Sequence, residues 1–267
     1  MRDKKLYVLG SLNKDIMISV DRMPSLGETI NGYQLKETVG GKGGNQACAA
    51  SKLGVDTYFI GNIGKDSAGK LIAEDLSKYD INLDFLNVVE DIESGTALII
   101  SCKGDNSIII NNGANYAIEI NDVVNALSDS KPGDLFITQL EIPVIVALEG
   151  LKLAKQKGLV TIFNPAPAVQ IDKSYYPYID YLIMNETESQ ILTGILPSNE
   201  DEYIKVSEIM HGVGVATVII TLGSEGVFIS DKATPTKLSV PGQKISVIDS
   251  TGAGDTFIGS FAYSLTK

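Results

Sequence analysis

The fold class that this sequence predicts is α/β: an open, mostly parallel sheet flanked by helices, with a small second β-sheet beside it. Three observations carry that prediction. From Asp134 onward, short apolar strands alternate with helical segments, the rhythm of a parallel sheet covered on both faces. Glycine-rich turns stand directly before apolar helical runs at two places, Gly40–Asn45 and Asp249–Phe257. Strand pairs near residues 15–39 and 97–110 break the alternation and are expected to form the separate sheet, placed to act as a lid.

Taken in order, Leu6–Leu9 reads as a buried strand ending at Gly10, and Asp15–Val20 as a second. Glu28–Val39 alternates like a hairpin turning at Asn31–Gly32. An alanine-rich helix follows the first glycine cluster and stops at Gly54. Thr57–Ile60 is a strand and Ser67–Tyr79 an amphipathic helix. Ala97–Ser101 and Ser107–Ile110 are strands joined at Gly104–Asp105. Strands are then expected at Asp134–Thr138, Val160–Phe163, Tyr181–Met184 and Thr217–Thr221, and helices at Val144–Lys157, Glu186–Leu192 and Tyr203–His211. Residues 1–267 read as one domain, with lid strands from about 12–39 and 95–111.

Composition narrows the function. Of 267 residues, 44% are apolar and 21% charged, the balance of a globular chain with a sizeable core. A formal net charge of −11 speaks against nucleic acid and anionic membranes as partners, because phosphate backbones are bound by clustered Lys and Arg. Cys48 and Cys102 follow no metal or redox spacing and read as buried free thiols, which suits a reducing cytoplasm. No segment approaches the ~18 apolar residues of a membrane span.

In open parallel sheets, ligands sit beyond the carboxyl ends of the strands. The polar residues at those ends are Asn13, Asp15, Glu141, Asn164, Asn185, Glu188, Thr221 and the 249–255 stretch. DSTGAGDTF at 249–257 fits a helix N-terminus, where unpaired backbone N–H groups and the positive dipole end make an anion site. Asp255 there is explained by simple capping, but less well once Gly252 and Gly254 stand beside it, since glycine costs helix stability. Gly40–Asn45 places four glycines around Lys42, a polar binding loop more than a hairpin exit. In NETE, Asn185 and Glu188 share a helix face and suit a hydrated Mg²⁺, or equally a capping box; spacing leaves both open. GKDSAGKL at 64–71 has P-loop spacing but carries Leu71 where Ser or Thr must hold Mg²⁺, so it reads as a loop and helix start. The single histidine, His211, late in a helix, argues against a Ser-His-Asp triad.

GGKGGNQA at 40–47, NETE at 185–188 and DSTGAGDTF at 249–257 together resemble signatures of the ribokinase family of carbohydrate kinases. GSLNKD at 10–15, NPAP at 164–167 and TLGSEG at 221–226 follow in the expected order, so the resemblance spans the chain. It implies an ATP-dependent sugar kinase acting on the 5-hydroxyl of D-ribose. It implies that Asn13, Asp15, Gly41, Lys42, Gly43, Asn45 and Glu141 bind the sugar. Asp255 would take its proton, with Gly252, Ala253 and Gly254 as the anion hole. Asn185, Thr221, Gly223, Ser224, Gly226 and Gly254 would bind ATP. Asn185 and Glu188 would position Mg²⁺ through water, and Asp249 and Thr251 would hold K⁺. The lid would double as a homodimer contact. Family members continue past the second signature, so a C-terminal part that lines the adenine pocket is expected to be missing here. Kinases for a related sugar or nucleoside, such as deoxyribose or fructose, and a truncated non-catalytic sugar-binding protein are the alternatives. A nicotinamide oxidoreductase is disfavoured, because no G-x-G-x-x-G opens the first strand-to-helix unit.

Overall fold

A computed structural model describes residues 4–103, 105–234, 237–246 and 250–267. In chain order its first half holds β1 (Lys5–Leu9), β2 (Asn13–Val20), β3 (Tyr33–Gly40), α1 (Lys42–Lys52), β4 (Asp56–Gly64), α2 (Ser67–Ser77), β5 (Asn82–Val89), β6 (Gly95–Cys102) and β7 (Asp105–Asn111). Then come α3 (Ile120–Ala126), β8 (Leu135–Thr138), α4 (Val144–Gln156), β9 (Val160–Phe163), β10 (Tyr181–Asn185) and α5 (Glu186–Thr193). The last part holds α6 (Glu200–Val213), β11 (Thr217–Thr221), β12 (Gly226–Asp231), β13 (Lys237–Pro241) and α7 (Ala253–Thr266).

The main sheet runs β13-β12-β11-β10-β9-β8-β1-β4-β5. Every pairing from β11 to β5 is parallel, and β12 and β13 add an antiparallel edge. Its inner strands are apolar on both faces, so alternate residues feed two cores. Leu6, Val8, Leu135, Ile137, Ile183 and Ile219 pack with Ala47, Ile72, Leu76, Ile258 and Ala262 of α1, α2 and α7. Tyr7, Leu9, Phe136, Leu182 and Val218 pack on the other side with Val123, Leu151, Val206 and Met210 of α3, α4 and α6. The parallel strands therefore all open at one edge, where Gly10–Asn13, Thr138–Glu141, Asn164, Asn185 and Thr221 lie.

A four-stranded sheet, β3-β2-β6-β7, holds the residues expected for the lid. Its strands spring from the functional edge of the main sheet. Asn115 anchors that junction: its Oδ1 accepts from Leu12 N at 2.9 Å, and its Nδ2 donates to Leu12 O at 3.0 Å.

Helices α1 and α7 lie unusually close. A Cβ built on Gly259 would stand 2.6 Å from Ala49 Cβ and Gln46 O, and 2.8 Å from Ala50 N. Only a residue with no side chain allows that approach.

Several expectations need correction. The hairpin within Glu28–Val39 is absent: only Tyr33–Gly40 is strand, and its antiparallel partner is β2, with Asp15 opposite Thr38. Gln34 at φ 55° and a bulge between Met17 and Ser19 end that ladder before Asn31–Gly32. Strands β5, β12 and β13 and helix α3 had no clear pattern, being short or half-exposed edge elements. Both cysteines are half-buried and free rather than fully buried. Burial still pushes the Cys48 thiol up to about 11. Gly104 of the β6–β7 turn lies outside the described residues. At 64–71, Asp66 caps α2, accepting from Gly69 N at 2.7 Å, and it also accepts from Ser94 N and Oγ. A carboxylate there repels a phosphate, so the segment is the loop and helix start that Leu71 already indicated. His211 ends α6 with its ring 3.0 Å from both Val215 O and Ser230 Oγ, a structural tie remote from the sheet's functional edge.

Candidate active site

The first glycine cluster is itself the start of a helix. Lys42 N donates to Glu141 Oε2 at 3.0 Å and Gly44 N to Ser11 O at 3.0 Å, so groups just after β1 and β8 satisfy two of α1's first N–H groups. Ser11 Oγ donates to the same Glu141 oxygen at 2.6 Å. Glu141 thus sits on the positive end of α1, where the dipole favours its charge. Gly41, at φ 92°, is the N-cap, and Gly43 packs its backbone against Gly10 and Ser11. Asn13 is buried, its Oδ1 accepting from Asn115 Nδ2 at 2.8 Å, which leaves its own amide as a donor for a ligand.

Gly252 is the N-cap of α7, and its φ of 72° suits glycine. Its first i→i−4 bond runs from Thr256 N to Gly252 O, so the N–H groups of Gly254 and Asp255 precede the helical ladder. Ala253 N is spent on Ser250 O at 3.1 Å, which removes one of the three expected anion-hole residues as a donor. Asp255 is 8% exposed. Asn45 Nδ2 donates to its Oδ2 at 3.0 Å, and Gln46 Nε2 to its Oδ1 at 2.9 Å. Burial raises the Asp255 pKa; the two amides and the Lys42 ammonium oppose that, and Glu141 adds to it.

Asp15 reaches the same cluster from β2. Burial, then the nearby Glu141 charge, raises its carboxyl to about 6 from 3.8. An unfolded chain ionises Asp15 near pH 4 while the folded one holds its proton to about pH 6, so native stability falls as pH rises through that window. Asp15 is only partly buried, and screening limits the loss to about 1–2 kcal/mol. Asp15→Asn is therefore expected to gain about that much stability at pH 7.5 and nothing at pH 4. Urea unfolding at the two pH values checks this, and a variant less stable than its parent at pH 7.5 contradicts it.

Two cavities meet at Gly252. One, of about 220 Å³, is lined by Lys42, Asn164, Asn185, Glu188, Thr221, Gly254 and Asp255. A larger one, of about 490 Å³, touches the cluster through Asp15 and Asn45 but runs away along α1, α2 and α7. The smaller one holds Asp255 together with the Asn185 and Glu188 pair. Asn185 and Glu188 form a reciprocal capping box: Asn185 Oδ1 accepts from Glu188 N at 2.8 Å, and Glu188 Oε2 from Asn185 N at 2.9 Å. The cap and the cavity position coexist: the same Glu188 that caps α5 also lines the smaller cavity, the kind of single carboxylate that an ion keeping several waters would use. Burial raises the Glu188 pKa, and Lys42 opposes it. Among the described residues no group of three or more His, Cys, Asp or Glu forms a metal cluster. Gly223 and Ser224 lie in the turn between β11 and β12 and Gly226 opens β12, all three outside the lining of the smaller cavity. Thr251 lines the larger cavity, and Asp249 lies outside the described residues. The sequence did not single out Ser11, Asn115 or Gln139; each is a polar residue at a strand end or a short turn, a weak signal without the fold.

A profile of the pfkB family carbohydrate kinases matches residues 3–267. The chain belongs to the pfkB family of carbohydrate kinases. Among pfkB relatives, it is 37% identical to a ribokinase of Haemophilus influenzae over 265 residues, covering 99% of this chain and 86% of that protein. It is 32% identical to a deoxyribokinase of Salmonella typhimurium over 260 residues, covering 97% of this chain and 84% of that protein. The structure of Arabidopsis thaliana ribokinase complexed with ribose and ATP superposes with a TM-score of 0.89 at 33% identity, covering 99% of this chain and 86% of that one. The mostly parallel sheet, its helices and the small second sheet are thus a pfkB-type architecture. Among the described residues no helix is long and apolar enough to cross a membrane.

Proposed function

We propose that this chain transfers the γ-phosphoryl group of ATP to the 5-hydroxyl of D-ribose. The observation that carries the reading is Asp255, a buried carboxylate held by two amides at the mouth of a helix N-terminus, within the field of Glu141 and Lys42. Phosphoryl transfer needs positioning and charge stabilisation more than covalent help from the protein. The sugar oxygen forms its bond to phosphorus as the bond to ADP breaks, and the hydroxyl proton passes to Asp255. The N–H groups of Gly254 and Asp255 meet the charge on the transferring group. Asn13, Asp15, Lys42, Asn45 and Glu141, with the Gly41–Gly43 backbone, hold the sugar. Asn185, Thr221 and the Gly223–Gly226 turn hold ATP. Mg²⁺, held through water near Asn185 and Glu188, would neutralise phosphate charge, and Asp249 and Thr251 would serve K⁺. The small sheet acts as a lid that keeps water from the phosphoryl group. It also pairs two copies: Ile108 and Ile110 are 57% and 44% exposed, and their cross-strand pairing with Ile99 and Ala97 puts them on the face of Asp15. A monomer in sedimentation velocity overturns that pairing. Free thiols and the acidic surface suit the cytoplasm.

The test is ADP release coupled to sugar, with Mg²⁺ and K⁺ present. Ribose is expected to exceed 2-deoxyribose and fructose by at least about tenfold in kcat/KM, since a site built to bond a hydroxyl rejects a sugar without it. Turnover of another sugar with none of ribose overturns the assignment. Similarity to a deoxyribokinase makes 2-deoxyribose the second reading, and the same panel decides between them.

A further inference from the structure

Behind Asp255 lies a line of buried amides that no sugar or phosphate can reach. Gln46 and Gln139 are both 0% exposed. Gln139 Nε2 donates to Gln46 Oε1 at 2.6 Å, and Gln46 Nε2 donates to Asp255 Oδ1 at 2.9 Å. Gln46 Nε2 also lies 3.4 Å from Asn164 Oδ1, while Asn164 Nδ2 donates to Ile183 O at 3.1 Å. The direction of each amide follows from the carboxylate, which only accepts. Gln46 must turn its nitrogen to Asp255, its oxygen therefore faces Gln139, and Gln139 must answer with nitrogen. Gln139 pays for this: its Oε1 is buried without a hydrogen-bond partner, wedged against Gly10, where a Cβ would come within 2.2 Å of it. An orphaned buried acceptor lowers stability, so the arrangement is not one that packing alone would select.

We propose that Gln46 and Gln139 form a one-way amide relay that orients the Asp255 carboxylate and holds it as a proton acceptor. Both are positioning residues. Gln46 binds Oδ1 and Asn45 binds Oδ2, so the plane of the carboxylate is set from two sides. Gln139 acts through Gln46, preventing the flip that would put an amide oxygen against Asp255. The charged groups facing Asp255 from neighbouring elements are Lys42 on α1 and Glu141 after β8, with Glu188 on α5 across the cavity. The relay supplies neutral donors to a carboxylate that one ammonium and two other carboxylates surround, so the donors oppose a net negative field. This inference rests on the reading of Asp255 as the base.

The experiment compares the parent with Gln46→Met and Gln139→Met. Three readouts are taken: kcat against pH with ribose, ribose affinity by calorimetry, and titration of the Asp255 side-chain carboxyl carbon by NMR, assigned with Asp255→Asn. Loss of a donor to the charged form is expected to raise the Asp255 titration and the acid limb of kcat by about one pH unit in Gln46→Met. Below the limb, kcat then falls about tenfold while ribose affinity changes less than about threefold. Gln139→Met shifts both in the same direction, by less. It also removes the orphaned Oε1 while leaving Gln46 Oε1 bare, so the number of unpartnered acceptors in the relay stays at one and its Tm should stay near the parent's. That variant keeps the test valid if Gln46→Met unfolds. An unshifted carboxyl titration in both variants overturns the relay. A shifted titration with an unshifted acid limb keeps the relay and overturns Asp255 as the base.

Discussion

Asp255→Asn is expected to lower kcat by about 10²–10⁴, the span that a positioned general base contributes. Ribose affinity, measured by calorimetry, should change by no more than a few fold, because the proposed sugar contacts are spread over Asn13, Asp15, Lys42, Asn45 and Glu141. The substitution keeps the shape and removes the charge, so Asn45 and Gln46 both still aim donors at position 255. One of them then meets an NH₂ group, and the variant carries a local clash of donors. For that reason the kcat-to-affinity split decides the role. Loss of ribose binding in step with kcat would make Asp255 a sugar ligand first and a base second. Retention of more than about a tenth of the activity would remove it from the chemistry.

Gly259→Val is expected to cost about 3 kcal/mol of stability, at the upper end for overpacking, and to take most of the activity with it. Its side chain would meet Ala49 Cβ and the backbone atoms Gln46 O and Ala50 N, none of which can rotate away. Helix α7 would have to separate from α1. The bonds from Asn45 and Gln46 on α1 to Asp255 on α7 span that seam, so the site opens with it. Gly212→Ala is the control: it lies within α6, and a Cβ there meets nothing within 4 Å. That change is expected to raise stability by about 0.5–1 kcal/mol, the ordinary preference for Ala over Gly within a helix. Chemical denaturation of the three proteins measures both effects. A Gly259→Val protein as stable as the parent would mean that the helices tolerate a wider spacing.

The parallel part of the sheet was legible because strands such as Val160–Phe163 and Thr217–Thr221 are apolar on both faces and end at polar residues. The glycine motifs were legible because the backbone needs glycine at Gly252 and at the α1 start for steric reasons. The hairpin at residues 28–39 was misread because alternation says that a segment is extended without naming its partner, and here the partner is β2. Edge elements such as β5 and β13 carry few apolar residues and leave little periodicity to read. Sequence placed Glu141 and Asp255 near each other only through strand ends and resemblance. It had no means of finding Gln139, whose meaning depends on an amide contact across 93 residues. Nor could it show that Ala253 N is engaged or that Asn185 and Glu188 cap each other, since those are matters of hydrogen-bond direction.

The bonds that hold the Asp255 carboxylate join positions 209 and 210 residues apart. Contacts of such sequence separation close long loops and are late to offset their entropy cost, so they slow folding. During synthesis, α1 emerges long before α7, and its Asn45 and Gln46 amides wait for the carboxylate that orders them. Catalytic competence should therefore arrive in one step after most of the sheet has folded. In refolding experiments, amide protection in β1, β8 and β9 should precede the recovery of turnover.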